Sequence, residues 1–124
     1  MDAAQALGEL VELSSQITAA VVLDGDGAVL ASSADDPASL AGPVRDLVGA
    51  AADLGGDDRD VTRVEVELDG GAIFVVREGD HTVAATTGPS PTSGLVVYDL
   101  RTCAQSITSE PKKRRARKPK EPSE

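Results

Sequence analysis

Residue types that commonly do chemistry are scarce in this chain. His81 is the only histidine and Cys103 the only cysteine, so neither has a second histidine or thiol with which to hold a metal ion or form a disulfide. Cys103 shares an apolar stripe with Val96, Leu100 and Ile107, which favours buried packing over a reactive thiol. His81 stands beside a turn, and we expect it on the surface of a strand. Neither residue predicts a metal site or a catalytic site.

Two carboxylates, Asp24 and Asp26, lie in the sequence DGDG at residues 24–27. Carboxylates at this spacing occur in calcium loops, but such a loop needs a further oxygen ligand and a glycine where Ala28 and Val29 stand. A tight turn between two strands requires only the glycine and aspartate chemistry that is present. The segment therefore predicts a hairpin turn and no calcium site.

Three hydroxyl residues, Ser90, Thr92 and Ser93, precede a predicted helix. Hydroxyls at that position normally accept from free helix amides, and no base accompanies them that would activate a nucleophile. The chain also lacks the sequence GxxxxGK[ST] that cradles nucleotide phosphates. We therefore expect a protein that is not an enzyme and that has no cofactor, no metal and no small-molecule substrate.

The charges divide the chain into two parts. The net charge is −9, but residues 1–110 carry 5 basic and 19 acidic residues, whereas residues 111–124 carry 7 basic and 2 acidic ones. The composition predicts a folded domain over residues 1–109 and a basic disordered tail over residues 110–124, because like charges and prolines cannot build a core. The acidic domain should repel nucleic acid and anionic membranes.

The basic residues of the tail leave several interpretations open. They could contact a polyanion, either nucleic acid or an anionic membrane, and would then give the protein a role as an adaptor. They could also fold back on the acidic domain, or simply remain solvated. The candidate polyanion contacts are Lys112, Lys113, Arg114, Arg115, Arg117, Lys118 and Lys120.

The N-terminus carries Asp2, Glu9 and Glu12, with no basic start and no long apolar run. This pattern predicts neither a signal peptide nor a membrane span. A single cysteine also suits a reducing compartment. We therefore expect a cytoplasmic protein.

The first half of the chain predicts a helix, two strands and a second helix. Apolar spacing over residues 2–15 is helical; its apolar positions are Ala3, Ala6, Leu7, Leu10, Val11 and Leu13. The β-branched run at residues 17–23 predicts a buried strand, and residues 28–32 return as its hairpin partner. Asp35, Asp36 and Pro37 then supply a cap and a first-turn proline for a helix that runs to about Leu54.

The second helix has two distinct faces. Its apolar positions, which we expect to lie on a sheet, are Leu40, Val44, Leu47, Ala51 and Leu54. The opposite positions are mostly small and would let another backbone approach; they are Ala38, Gly42, Arg45, Gly49 and Ala52. A helix that is simply rich in alanine and glycine would show the same residues, so composition alone is an alternative explanation.

The second half predicts a meander of three strands and a last helix. Residues 61–69 alternate apolar and charged side chains, so this strand has one buried and one solvated face. Residues 72–77 are apolar on both faces, residues 81–87 form the third strand, and turns at 69–71 and 78–80 separate the three strands. Residues 92–108 predict a helix. The expected fold is α/β (α+β), a five-stranded mainly antiparallel sheet with helices on both faces, in the order α-β-β-α-β-β-β-α.

Three segments resemble the bacterial branch of the roadblock (roadblock/dynein light chain) family. They are AAVVLDGDGAVLASS at 19–33, IFVVREG at 73–79 and VAATTGPSPTSGLVVYDLR at 83–101, of which the last is the most specific. The element order also matches the roadblock fold. The resemblance implies a homodimer joined through the third strands and second helices, and a non-catalytic regulator or scaffold for a Ras-like small GTPase. Tyr98 and Arg101 belong to the matched motif, where surface contacts and ordinary helix packing explain them equally well.

The implied dimer suggests a register for the third strand. If two copies run antiparallel about Val64, Arg63 of each copy lies opposite Glu65 of the other, a favourable cross-strand pair. The same charges could instead only protect an exposed edge from aggregation. The predicted dimer interface comprises Gly42, Arg45, Gly49, Ala52, Arg63, Val64 and Glu65.

Overall fold

The computed structural model describes residues 1–56 and 61–108 of the chain. Three helices and five strands follow in the predicted order: α1 (Ala3–Leu13), β1 (Ile17–Leu23), β2 (Val29–Ser32), α2 (Pro37–Gly55), β3 (Arg63–Leu68), β4 (Gly71–Glu78), β5 (His81–Thr87) and α3 (Ser93–Thr108). The predicted order of elements is therefore confirmed. The tail predicted for residues 110–124 lies outside the described residues.

The five strands form one antiparallel sheet in the order β2-β1-β5-β4-β3. The strands β1, β5 and β4 occupy the centre, and their side chains are largely buried on both faces. This burial explains why β1 and β4 are rich in apolar residues without alternation, and it extends in β5 to the polar residues His81, Thr82 and Thr87. The strands β2 and β3 form the two edges.

Helices cover both faces of the sheet. The helices α1 and α3 pack on one face over Phe74, Val83 and Val22. The helix α2 packs on the other face, where Leu40, Ala41 and Val44 of the helix meet Val21, Leu23, Val75 and Ala84 of the sheet. The core is therefore built almost entirely from valine, leucine and alanine, as the lack of aromatic residues requires.

The ends of the helices follow local chemistry. Asp2 caps α1, since its carboxylate accepts from the Gln5 amide at 2.8 Å while the Gln5 side chain accepts from the Asp2 amide at 3.2 Å. Asp36 precedes α2, but its side chain makes no capping hydrogen bond, and the fixed φ of Pro37 begins the helix instead. Gly56 ends α2 with φ of 72°, a conformation that side chains disfavour.

Some exposures differ from the sequence expectations. Leu13 was expected in the apolar stripe of α1 but is 81% exposed, and Val11 is also exposed. Leu54 was expected to lie on the sheet but is 87% exposed. These predictions are wrong because each leucine lies in the last turn of its helix, where little of the fold is left to cover it.

Candidate interaction surface

The edge strand β3 is the first part of the candidate interaction surface. It pairs only with β4 among the described residues, with Val64 opposite Val75 and Glu65 opposite Phe74. Val75 belongs to the core under α2 and Phe74 to the core under α1 and α3. The valines of β3 therefore face the side of α2, and its charged residues face the side of α3, as the alternation predicted.

Apolar side chains near β3 are incompletely covered on the side of α2. Val66 and Ile73 are only half-buried, and Leu68 at the end of β3 is 49% exposed. The buried residues of α2 lie near its start, at Leu40, Ala41 and Val44. The sheet therefore keeps an apolar strip beside its β3 edge that α2 does not shield.

The outer surface of α2 holds the other predicted interface residues. Gly42 and Gly49 are open, because a Cβ atom at either position would have no atom of the described chain within 4 Å outside its local helix backbone. Ala52 is exposed. The small side chains thus serve no packing purpose within the described part of one chain.

The buried stripe of α2 is rotated from the predicted one. Ala41 is fully buried and Val48 packs on the same core, although neither was expected on the sheet. Leu40, Ala41, Val44 and Val48 follow the helical period, whereas the predicted heptad series drifts off the contact face. Arg45 consequently lies at the flank of the buried stripe and not opposite to it.

Arg45 has a contact within its own chain. Its Nε donates to the carbonyl oxygen of Gly27 at 2.7 Å, and its side chain would also meet a Cβ atom at Gly27, which has φ of 86°. Arg45 therefore ties α2 to the β1–β2 hairpin, and a glycine at position 27 satisfies both the turn and the close approach. Any contact of Arg45 with a second molecule would use its remaining guanidinium donors.

A hydrogen bond links the β3 edge to the start of α3. The Ser93 hydroxyl donates to Oε2 of Glu65 at 3.0 Å. Ser93 is the first residue of α3. Its hydroxyl was expected to cap the helix, and it contacts Glu65 instead. The backbone before it is held from the other side, because the Thr92 amide donates to the Gln16 side chain at 2.6 Å. The contact orients one oxygen of Glu65 and leaves the other open at the edge.

The remaining chemical candidates serve the fold. The carboxylate of Asp24 accepts from the amides of Asp26 and Ala28, both at 2.9 Å, which confirms the hairpin turn. Cys103 is buried, and burial, with a smaller contribution from the carboxylate of Glu9, raises the pKa of its thiol to about 11. His81 is buried as well, so its prediction as a surface residue is wrong. It is the first residue of β5, the central strand of the sheet.

No group of three potential metal ligands occurs in residues 1–56 and 61–108. Within the same ranges no helix has the length and apolar character needed to cross a membrane. Tyr98 and Arg101 are exposed on α3. The seven basic residues predicted to contact a polyanion lie beyond the described residues.

The fold and this surface define a class of protein: a small domain with an antiparallel sheet, helices on both faces and a charged edge strand that, within the described residues, pairs on one side only. The chain belongs to the Roadblock/LC7 domain family, whose sequence model matches residues 4–87. The resemblance noted in the sequence is thereby confirmed. No curated protein matches the chain in sequence.

Solved structures share the fold. A Roadblock/LC7 domain from Streptomyces avermitilis is 27% identical and superposes with a TM-score of 0.76, covering 88% of this chain and 97% of that one. The gliding protein MglB from Thermus thermophilus is 19% identical, with a TM-score of 0.66 and 86% coverage of both chains. Profilin II from Acanthamoeba castellanii is 16% identical, with a TM-score of 0.58, and covers 86% of this chain and 97% of its own. The last two likenesses concern the fold alone.

Proposed function

We propose that the chain is a non-catalytic, homodimeric regulator or scaffold subunit for a Ras-like small GTPase in the cytoplasm of a bacterium. The observation that carries this proposal is the β3 edge, which is unpaired within the described residues and charged in a pattern complementary to itself. Membership of the Roadblock/LC7 family supports it. The proposed dimer interface comprises Gly42, Arg45, Gly49, Ala52, Arg63, Val64 and Glu65.

The charges of β3 favour one register of self-pairing. A twofold axis perpendicular to the sheet keeps equivalent faces together, so it must pass through a residue of β3 and not between two residues. An axis at Val64 places Arg63 opposite Glu65 of the second copy, twice. An axis at Glu65 places Arg63 opposite Glu67 twice but also places the Glu65 carboxylate opposite its own copy, and an axis at Val66 places Glu65 opposite Glu67 twice. Like charges directly opposite are destabilising, so the axis at Val64 is preferred.

The uncovered apolar strip supports pairing at the same edge. Val66, Ile73 and Leu68 lie beside β3 on the side of α2 and keep contact with solvent in one copy. A second copy joined at β3 would bring its own α2 and its own strip to this side. Burial of this apolar area would stabilise the dimer, and exposed ion pairs by themselves contribute little.

Dimerisation can be tested by charge reversal on β3. Arg63→Glu or Glu65→Arg alone places like charges opposite each other at two symmetric positions, and we expect each to raise the dimer dissociation constant at least about tenfold. The double variant restores opposite charges and should restore association. Sedimentation equilibrium measures the constant, and Arg101→Glu on exposed α3 is the matched control. A monomeric wild-type chain at micromolar concentration would rule out the dimer, and unchanged single variants would rule out the register.

The GTPase assignment needs a separate test. Purified Ras-like GTPases of the source organism, loaded with GDP or with a non-hydrolysable GTP analogue, can be titrated with the full chain by calorimetry. We expect one GTPase to bind in a nucleotide-dependent manner, and single-turnover hydrolysis with and without the chain then shows whether the rate changes. Loss of binding in a β3 variant that is monomeric would place the GTPase site on the dimer. Absence of binding to every such GTPase would refute the assignment.

The polyanion alternative rests on the seven cations within residues 112–120. Such a run binds nucleic acid or anionic lipid with strong salt dependence, and dimerisation would double it. A chain ending at residue 110 should then lose all binding to duplex DNA and to phosphatidylserine vesicles while keeping its binding to the GTPase. Equal binding by the full and shortened chains would exclude this alternative.

A further inference from the structure

The opposite edge of the sheet, at β2, differs from β3 and has no assigned role. The strand β2 (Val29–Ser32) pairs with β1 only, within the part of the chain that the structure describes. Its sequence VLAS contains neither a charge nor a proline, so its protection as an edge is limited to its length of four residues and to a register shift opposite Val22 and Leu23. Leu30 is 44% exposed there. This edge can accept main-chain hydrogen bonds from another strand.

A groove runs between this edge and α1. Ala4, Leu7, Gly8 and Val11 recur at positions i, i+3, i+4 and i+7, so they form one flank of α1, and this flank faces Leu30 and Ala31 across a space of about 410 Å³. Gly8 leaves the groove open, because a Cβ atom at that position would have no atom within 4 Å outside its local helix backbone. The lining combines an apolar helix flank with an unpaired strand edge.

This combination suits an extended segment. A strand added beside β2 would form main-chain hydrogen bonds to the edge and place alternate side chains under the flank of α1. Apolar residues at every second position would fill the groove, and the groove is wide where Gly8 has no side chain. A helix in the same place would leave the edge amides and carbonyls without partners.

The charge around the groove favours certain residue types at the remaining positions of the bound segment, those that do not enter the groove. Both of its walls belong to the first 44 residues, which contain seven aspartates and glutamates and no lysine, arginine or histidine, and the nearest arginine in sequence, Arg45, is bonded to Gly27 in the β1–β2 turn. Glu12 on α1 is exposed, as are Asp35 and Asp36 just beyond β2. Lysine or arginine in the incoming segment would therefore be attracted, and acidic residues would be repelled.

We propose that the β2 edge and the α1 flank form a docking site for an extended segment of a partner protein with apolar residues at alternate positions and lysine or arginine between them. Residues 111–124 of the chain itself supply the charge but only Ala116 as an apolar side chain, so they do not fit the groove. A second copy offers an uncharged β2 strand, but it would bring the same predominantly acidic region against this one.

The test uses the full chain, labelled with ¹⁵N, and a capped peptide of sequence Lys-Val-Lys-Val-Lys-Val. We expect saturable chemical-shift changes confined to β2 and the flank of α1, with slower hydrogen exchange of outward-facing β2 amides. The matched peptide Glu-Val-Glu-Val-Glu-Val should bind at least tenfold more weakly. A peptide with proline in place of the central valine should lose most binding, because proline has no amide hydrogen to donate.

Two variants locate the site. Gly8→Leu fills the groove and should weaken peptide binding at least tenfold while raising the melting temperature, since leucine favours a helix over glycine. Gly94→Leu makes the same change on α3, at a position where a Cβ atom also meets nothing within 4 Å outside its local helix backbone, and should leave peptide binding unaltered. No saturable shifts up to millimolar peptide, equal binding of the acidic peptide, or unchanged binding by Gly8→Leu would each overturn the proposal. Self-association that Gly8→Leu abolishes would also overturn it, because the occupant would then be a second copy.

Discussion

The two edges of the sheet expose unpaired backbone in different chemical settings. The β3 edge alternates valine with arginine and glutamate, whereas the β2 edge is uncharged and lies beside an apolar helix flank. Charges on an edge disfavour pairing with most strands and favour strands with a complementary charge pattern. The charge pattern of β3 is complementary to a second copy of β3. An uncharged edge selects by the shape and apolar character of its surroundings. Under the two proposals above, the partners of the two edges would not compete.

The β3 edge depends on a single attachment to the sheet, and breaking it should have the largest effect. A Cβ atom at Gly71, the first residue of β4, would clash with the carbonyl oxygen of Thr87 in β5. Gly71→Val should lower the free energy of unfolding by about 2–4 kcal/mol, because backbone on both sides must move. Urea denaturation measures the change.

The matched control is Gly88→Val, a position where a Cβ atom meets nothing within 4 Å. Hydrogen exchange should show faster opening of β3 than of β2 in Gly71→Val, since β2 is attached through β1 at the other side of the sheet. Equally faster hydrogen exchange in β2 and β3 would show that the two edge strands unfold as one unit and do not differ in local stability.

The two glycine flanks should respond in opposite ways to the same substitution. Gly49→Leu on α2 should weaken the proposed dimer at least about tenfold, equivalent to about 1.4 kcal/mol, because the added side chain keeps the second copy away. Gly8→Leu on α1 should leave dimerisation unaltered. Sedimentation equilibrium of both variants tests this, and weakened dimerisation in both would mean that the surfaces are coupled.

The α1–α3 layer, which supports the β2 groove, can be monitored through Cys103. The pKa of this thiol is raised from 9.0 to about 11 in the folded chain, so the unfolded chain loses its proton first as the pH rises. Its stabilising contribution is therefore complete below pH 9 and is lost progressively between pH 9 and pH 11.

Thermal unfolding at pH 8, 9, 10 and 11 should show a decline in this range that is smaller in Cys103→Ala than in the wild type. Below pH 9 the variant is less stable because it leaves a small cavity. The comparison therefore rests on the slope. Identical slopes for the two proteins would show that the thiol does not contribute.

The smallest effect is expected at the contact between Ser93 and Glu65. Ser93→Ala removes an exposed hydrogen bond, so we expect a loss of about 0.5 kcal/mol or less in the stability of the monomer. If Ser93 also orients Glu65 toward Arg63 of a second copy, the dimer weakens by a similar factor at each of its two sites. A double-mutant cycle with Glu65→Gln measures this coupling, and a cycle with no coupling energy in the dimer would assign Ser93 to the monomer alone.

The pattern of apolar residues determined most of the fold. The bounds of β1 and β5 agree with the sequence prediction, because runs buried on both faces leave little freedom of assignment. The alternation in β3 correctly predicted a strand with one exposed face, and the apolar stripe of α3 is buried at Val96, Leu100, Cys103 and Ile107. These periodicities are local properties of the chain.

Tertiary packing decided the features that the periodicity of apolar residues in the sequence does not predict. It rotated the buried stripe of α2 to include Ala41 and Val48, left Leu54 in solvent and buried His81. It also joined residues distant in sequence, as in the bonds from Arg45 to Gly27 and from Ser93 to Glu65.

The sequence alone therefore determined the elements, their order, the division of charge and the family. The structure alone decided which side of each element meets another, because that choice depends on how separate elements fit together. The groove at β2 is such a feature: its residues are ordinary in the sequence and become a surface only where α1 lies beside the edge strand.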